Sequence, residues 1–393
     1  MDHSLFEVCL TTGLIRNLLL GTAAIPSIYY TIALFSSVRF FLAASADADE
    51  RSGGFEPPVS ILKPVRGLDP DAYENFSSFC RQDYPDYEIL FCIGDTTDPV
   101  FPVLERLIRE FPERRIRVLI GSGRDAVNDK VAKLVRLVNE AAHEHLVIND
   151  SDVRVKPDYL RTIVAPLANP EIGAVTCFYV PTQDTSWVQR LQDVGMLSDF
   201  YPGILVAKEL DGVKFALGPT IGTTRTRLQA FGGYASLENR PADDLLVGRL
   251  IADQGYQVAL LPYSVSTVPD YQSLRDLFLK RLRWITVMRH MRRWGHLGLI
   301  FTFGLPWALL AVAVQPTIGI AAIYLGGYLA FRIALTAVVG AGLKQPHVWW
   351  KMPLIPVWDV LACLIWLVSF TRKSIRWRGQ DYLIRKGELV PSP

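Results

Sequence analysis

The chain has no C-x-x-C pair among its five cysteines, Cys9, Cys80, Cys92, Cys177 and Cys363. Their scatter excludes a cysteine-based zinc site and a disulfide framework, so they read as buried thiols of a reducing compartment. A surplus of either charge is also missing: 41 Lys and Arg stand against 39 Asp and Glu, leaving +2. That balance provides no whole-molecule field for nucleic acid, and any basic surface must be local. No cluster of positive charges precedes the first apolar stretch, which speaks against a cleaved signal peptide even though Ala44-Ser45-Ala46 resembles a cleavage site. What the chain does have in quantity is apolar side chains, 50% of its residues, and membrane segments are expected from that.

Leu18 to Phe41 is apolar apart from Pro26, scattered Ser and Thr, and Arg39. At about 1.5 Å per residue it is long enough to cross a hydrocarbon core of roughly 30 Å. Arg39 at its downstream end places the middle of the chain in the cytoplasm by the positive-inside tendency. Three more stretches follow, Leu297 to Val314, Thr317 to Gly342 and Pro353 to Phe370. Three crossings would leave the basic segment Arg372, Lys373, Arg376 and Arg378 outside, against the same rule, so one stretch is expected to be re-entrant or interfacial. The last, with Pro353, Pro356 and Asp359, is the leading choice; the first is short and holds Pro306. Arg332 lies inside the middle stretch, where a lone charge is costly, and Asp359 is its expected partner, with snorkelling to an interface as the alternative.

Between Val59 and about Val268 the pattern changes to short β-rich runs alternating with helical ones, the mark of an α/β sheet with crossover helices. Strands are expected at Val59 to Leu62, Tyr87 to Ile93, Ile116 to Ile120, His145 to Ile148 and Ile172 to Val180. Helices are expected at Ala72 to Arg81, Val100 to Glu110, Asp129 to Ala142 and Pro157 to Leu167. In such sheets ligands bind beyond the carboxyl ends of the strands, so polar residues there carry the most weight.

Two strand ends carry acids. One run closes on Gly94-Asp95, the other on Asn149-Asp150-Ser151-Asp152. Carboxylates two residues apart at a strand exit can aim at one point, and hard oxygen ligands suit Mg²⁺ or Mn²⁺ bridging a diphosphate; a solvated turn is the plain alternative. A third pair, Asp243-Asp244, opens a helix. It is explained either by compensation of the helix dipole or by the general base that sugar transfer to a hydroxyl requires. Finally, Ser273 to Met291 reads as a basic amphipathic helix, with Leu274, Leu277, Phe278, Leu282, Ile285 and Met288 on one side and Arg275, Lys280, Arg281, Arg283 and Arg289 supplying charge. It could lie on an anionic membrane face. Within it Lys280, Arg283 and Trp284 share a face, where a phosphate could be held and an acceptor packed.

The order of these segments resembles the ceramide glucosyltransferase family, which includes bacterial relatives that glycosylate hopanoid lipids. The residues that carry the likeness are Val59 to Gly67, Gln82 to Glu88, Asp95, Asp98-Pro99, Asn128, Lys130, Asp150 to Val155, Gly218 to Thr220, Gly232-Gly233 and Asp243-Asp244. That family is inverting, with a D, D, D, (Q/R)-x-x-R-W arrangement on a GT-A domain. The resemblance implies that Asp95 and Lys130 serve the nucleotide sugar, that Asp150 and Asp152 face the metal and diphosphate, and that Asp244 is the catalytic base. Arg283 and Trp284 match the last motif, with Lys280 where the family has Gln or Arg; lysine keeps the charge and loses the bidentate geometry. Trp377 to Tyr382 is similar to a W-R-G-x-x-Y segment that family members place on the cytoplasmic side.

These readings together lay the chain out as a membrane anchor at 1–45, a cytoplasmic GT-A domain with a mixed, mainly parallel sheet at 55–270, a basic interfacial helix at 271–296, membrane segments at 297–371 and a cytoplasmic tail at 372–393. The expected reaction is transfer of a hexose from a UDP-sugar, UDP-glucose first, to a ceramide-type lipid hydroxyl, with Mg²⁺ or Mn²⁺ as cofactor and the bilayer as partner. Transfer of N-acetylglucosamine to a hopanoid lipid, a processive polysaccharide synthase and a non-catalytic membrane scaffold are the alternatives. The segment Trp187 to Leu210 is expected beside the membrane on the acceptor side.

Overall fold

The computed structural model describes residues 3–46, 54–124, 126–182, 186–268, 273–345, 347–377, 380–385 and 387–391. The chain forms two units. One, here the sheet unit, comprises Leu42–Thr185, Leu210–Gln272 and Lys373–Pro393; the other, the helical unit, comprises Met1–Phe41, Ser186–Glu209 and Ser273–Arg372.

The sheet unit is built on β1 (Val59–Pro64), β2 (Tyr87–Ile93), β3 (Arg115–Ile120), β4 (His145–Ile148), β5 (Val153–Arg154), β6 (Ile172–Pro181), β7 (Ile221–Thr224) and β8 (Gln257–Thr267), in the order β3-β2-β1-β4-β7-β6-β8-β5. β1 runs parallel to both β2 and β4, while β7 is antiparallel to its neighbours β4 and β6. β1 and β2 are buried along their whole length, as strands covered on both faces must be. Successive residues feed opposite layers: Ile61, Ile89 and Val147 pack with Phe76, Phe79, Leu104 and Tyr159, whereas Leu62, Leu90 and Ile148 pack with Val131, Leu134 and Val247. At the edge, β3 alternates instead and turns Arg115 and Arg117 outward. The expected strands and crossover helices are present, with ends shifted by a residue or two; the helix expected from Pro157 starts at Tyr159.

β7 and β8 were not expected from the sequence. β8 contains Pro262, a residue that argues against a paired strand. The register against β6 slips between Cys177↔Leu261 and Phe178↔Ser264, so Pro262 and Tyr263 are set out as a bulge and the ladder resumes beyond them. Near the carboxyl terminus β9 (Ser374–Trp377), β10 (Gln380–Arg385) and β11 (Glu388–Pro391) form a separate antiparallel meander. Leu389 N–H donates to the Asn239 carbonyl at 2.7 Å, tying this meander to the loop ahead of Asp243. Arg378 and Gly379 of the W-R-G-x-x-Y segment lie outside the described residues. Cys80, Cys92 and Cys177 are buried free thiols and Cys363 is half-buried and free; the Cys9 side chain lies outside the described residues.

In the helical unit, three helices among the described residues are long and apolar enough to cross a membrane: Gly13–Ala43, Ile318–Gly342 and Trp349–Ser369. The stretch that departs from a straight span is the first after the sheet unit, not the last as expected. Arg293–Thr302 and Gly304–Val314 meet at a 52° bend, whereas Trp349–Ser369 is one 21-residue helix. Pro306 explains the bend, because it has no N–H for the Thr302 carbonyl and its ring would collide there. The freed groups are satisfied by one side chain: Tyr30 Oη donates to Thr302 O at 2.9 Å and accepts from Gly304 N–H at 2.9 Å. Arg332 is paired with Asp359 as expected. Nε lies 3.0 Å from Oδ2, a second, shorter contact joins Nη2 to Oδ1, and Tyr328 Oη donates to Asp359 at 2.7 Å.

Candidate active site

The exits of β1, β2 and β4 are level, since Pro64 pairs with Cys92 and Leu62 with Ile148. The strand order reverses at β1, with β2 on one side and β4 on the other, so the crevice beyond these ends is where a ligand site is expected. The loops leaving the strands are pinned to each other. Asp98 accepts two bonds from Gly67 N–H, at 3.1 and 3.0 Å, and Gly67 holds a φ of +74° that a side chain would strain. Lys133, buried, donates to Val65 O and to Asp129, both at 2.9 Å.

Beyond β4, Asn149 N–H still extends the ladder to Leu62 O at 3.1 Å, and its amide reaches Tyr159 Oη and Pro219 O, each at 2.7 Å. Asp150 is thereby set at the crevice. Its Oδ1 lies 2.6 Å from Lys130 Nζ, and the same ammonium is 3.4 Å from Asp243 Oδ2. Lys130 projects from the first turn of the helix Asp129–Glu140, whose cap Asn128 is held by Arg240 O and Glu238 O on the Asp243 loop. Burial alone would lower Lys130, yet Asp150, Asp243 and Asp244 hold it well above its ordinary value.

Asp244 completes the group. It lies in the first turn of the helix Asp243–Asp253, where its Oδ1 accepts from Leu245 N–H at 2.9 Å. Its Oδ2 points toward Gly218, where a Cβ would stand 2.8 Å from it and 3.1 Å from Asp150 Oδ2. Gly218 therefore leaves the space that two carboxylates share, one from the loop beyond β4 and one from the helix Asp243–Asp253. Burial, then the neighbouring Asp243, pushes the Asp244 carboxyl up to about 6. A carboxylate with that affinity is ionised at neutral pH and strong enough to take a proton.

Behind this cluster Lys63 is fully buried. It donates to the Asp150 carbonyl at 3.1 Å and sits 3.7 Å from the centre of the Phe79 ring. Burial brings it down to about 7, against the pull of Asp152, Asp150 and Asp69. Asp95 stands exposed at the end of β2 and accepts from Thr97 N–H at 2.7 Å and from the Thr97 hydroxyl, which hold its carboxyl below the usual range. Among the described residues no three His, Cys, Asp or Glu converge as a metal cage. Asp150 and Asp152 offer carboxylate oxygens, a donor type suited to a cation that arrives with phosphate oxygens of its own.

A family model described as glycosyl transferase family 21 matches residues 18–390. The chain belongs to glycosyl transferase family 21. It is 22% identical over 349 residues to ceramide glucosyltransferase 3 of Caenorhabditis elegans, covering 85% of this chain and 74% of that protein. To the ceramide glucosyltransferase of Pyricularia oryzae it is 29% identical over 405 residues, covering 86% of this chain and 76% of the other. Among solved structures it is similar to a mannosyltransferase from Pyrobaculum calidifontis in complex with GDP-Man and Mn2+, with TM-score 0.54 and 20% identity over 88% of this chain and 99% of that one. The fold is GT-A, the expected kinship with ceramide glucosyltransferases holds, and the protein is a glycosyltransferase.

In this family 21 chain the structure brings Lys130, Asp150 and Asp244 together, and adds Asp243, Gly218 and Lys63, to which the sequence assigned no role of their own. A lysine and a glycine inside motif-like runs read as ordinary strand and turn residues until their neighbours are known. Lys280, Arg283 and Trp284 lie on the helix Leu274–Met291 of the helical unit, opened by a capping box between Ser273 and Asp276. Arg281, counted among the charges of the basic helix, is buried, donating to Gln192 Oε1 at 2.9 Å and Met196 Sδ at 2.8 Å.

Proposed function

We propose that the protein transfers a hexose, glucose first, from a UDP-sugar to the hydroxyl of a ceramide-type lipid, with inversion at the anomeric carbon. The carrying observation is the group Lys130, Asp150, Asp243 and Asp244 at the reversal point of the sheet, with Asp150 and Asp244 meeting at Gly218. The acceptor oxygen forms its bond to the anomeric carbon as the bond to the UDP oxygen breaks, and the hydroxyl proton passes to Asp244, raised for that purpose to about 6. Lys130 holds Asp150 in place and offsets negative charge near the leaving diphosphate. Asp95 takes the uridine side of the donor. Asp150 and Asp152 would hold Mg²⁺ or Mn²⁺, which when bound neutralises diphosphate charge as it develops. Lys280, Arg283 and Trp284 are assigned to phosphate and acceptor by their match to the motif.

The sheet unit faces the cytoplasm in this reading and the chain is multi-pass. If the bent pair Arg293–Thr302 and Gly304–Val314 is re-entrant, the two following helices return the chain to the side it left. Arg289 and Arg293 before them and Arg372 and Lys373 after them then share one side, as the positive-inside tendency requires.

The test is Asp244→Asn in purified membranes supplied with labelled UDP-glucose, UDP-N-acetylglucosamine and ceramide or hopanoid acceptors, with products identified by mass spectrometry. Loss of about 10²- to 10⁴-fold in transfer with the thermal midpoint kept is expected. Unchanged transfer removes Asp244 as base. A product containing N-acetylglucosamine or a polymer of sugars replaces the proposed substrate pair.

A further inference from the structure

We infer that Asp199 in the helical unit receives the polar head of the acceptor, and that this head is uncharged and rich in O–H or N–H donors. The inference rests on the reading above that a lipid is glycosylated.

Asp199 lies in a run that is helical from Trp187 to Asp211 but opens into a π turn at Met196–Phe200. Such a turn gives up regular hydrogen bonding and persists where side chains must be re-aimed. Here the freed Ser198 carbonyl is taken by Arg332, which also donates to Ser198 Oγ at 3.1 Å. Arg332 is neutralised in turn by Asp359. Asp199, only partly exposed, is left with one hydrogen bond among the described residues, from Trp358 Nε1 to Oδ2 at 3.4 Å. An ionised carboxylate offers about four acceptor positions, so a long bond to one indole leaves room for further donors.

The surroundings are those of a fixed site. Trp358 packs flat on Gly195, where any Cβ would fall onto the indole. The Arg281 guanidinium lies 4.9 Å from the Trp284 ring centre and 5.0 Å from that of Trp358, its direction set by Gln192 and Met196. Phe200 lies beside Trp284, with ring centroids 6.5 Å apart. Aromatic faces next to a carboxylate suit a molecule that is apolar along its length and polar at one end. The charges select which end. Asp199 opposes a phosphate, and Arg281 opposes an amine. A neutral head with hydroxyl and amide N–H groups satisfies the carboxylate and meets neither repulsion.

Binding without turnover tests this. The full chain in lipid nanodiscs is titrated with a fluorescent short-chain ceramide and with the same lipid phosphorylated on its primary hydroxyl. Wild type is expected to bind the neutral lipid at least ten times more tightly than the phosphorylated one. Asp199→Asn is expected to weaken neutral-lipid binding and raise its KM at least ten-fold, with UDP affinity and the unfolding midpoint unchanged. Asp199→Glu, which keeps the charge and shifts it by one methylene, recovers part of the loss and serves as the readout should the amide variant not fold. Equal binding by wild type and D199N, or equal affinity for the two lipids, overturns the site. If the neutral lipid binds through Asp199 yet receives no sugar, the site stands and the proposed reaction falls; if transfer proceeds and D199N leaves it untouched, the reverse holds.

Discussion

Four charged side chains from three segments form one group, two of them at Gly218, and their mutual fields decide what each can do. Lys130 answers two carboxylates directly, which leaves Asp244, raised to about 6 by burial and by Asp243, as the acid whose protonation state changes near neutrality. A base must be unprotonated to act, so its activity is present above its pKa and lost as the pH falls through it. We expect kcat/KM for sugar transfer to be level above about pH 7 and to fall about ten-fold per unit below about pH 6, measured in mixed micelles over pH 4.5 to 8.5. A level profile down to pH 4.5 assigns the proton to another group. Asp150 and Asp244 stood out in the sequence because acids at strand and helix ends stand out against apolar runs. Lys63 and Arg281 did not, because a cation in a strand or a basic helix reads as solvent-facing until the Phe79 ring or the Gln192 amide beside it is known.

Secondary-structure elements show the same division. Alternation and apolar runs marked β1 to β4 and β6, but β8 hides behind Pro262, whose cost is absorbed by a bulge that only its partner β6 reveals. Proline misled in the other direction among the apolar helices. Pro356 sits at the start of the helix Ile355–Ser369, where its missing N–H costs nothing, while Pro306 bends its own stretch. The pair Arg332 and Asp359 joins two of these helices and is buried at 3% and 6% exposure. Replacing Asp359 by Asn is expected to destabilise the protein by about 3–5 kcal/mol, since it strands a buried guanidinium. The double replacement Arg332→Met with Asp359→Leu is expected to recover most of that loss. Thermal midpoints in detergent check both, and equal midpoints for D359N and wild type would show that the pair carries no net stability.

Across the whole molecule the chain passes between its two units five times, and the segment Ser186–Glu209 leaves the sheet unit to join the helices. That segment buries Val188, Leu191, Val194, Leu197 and Tyr201. A fragment cut to residues 55–270 keeps this apolar surface and loses the helices it groups with, so we expect it to aggregate without detergent while the full chain stays monodisperse in micelles; size-exclusion chromatography of both decides it. A monodisperse fragment would mean that the segment folds onto the sheet unit unaided. Composition and periodicity were sufficient for the α/β middle, the apolar ends and the acids at strand exits, because those features rest on local pattern and on which groups water accepts. Which carboxylate shares a lysine and which stretch bends were settled only by folding, because each depends on the energy of contacts between residues tens to hundreds of positions apart, and no local pattern records who the distant partner is.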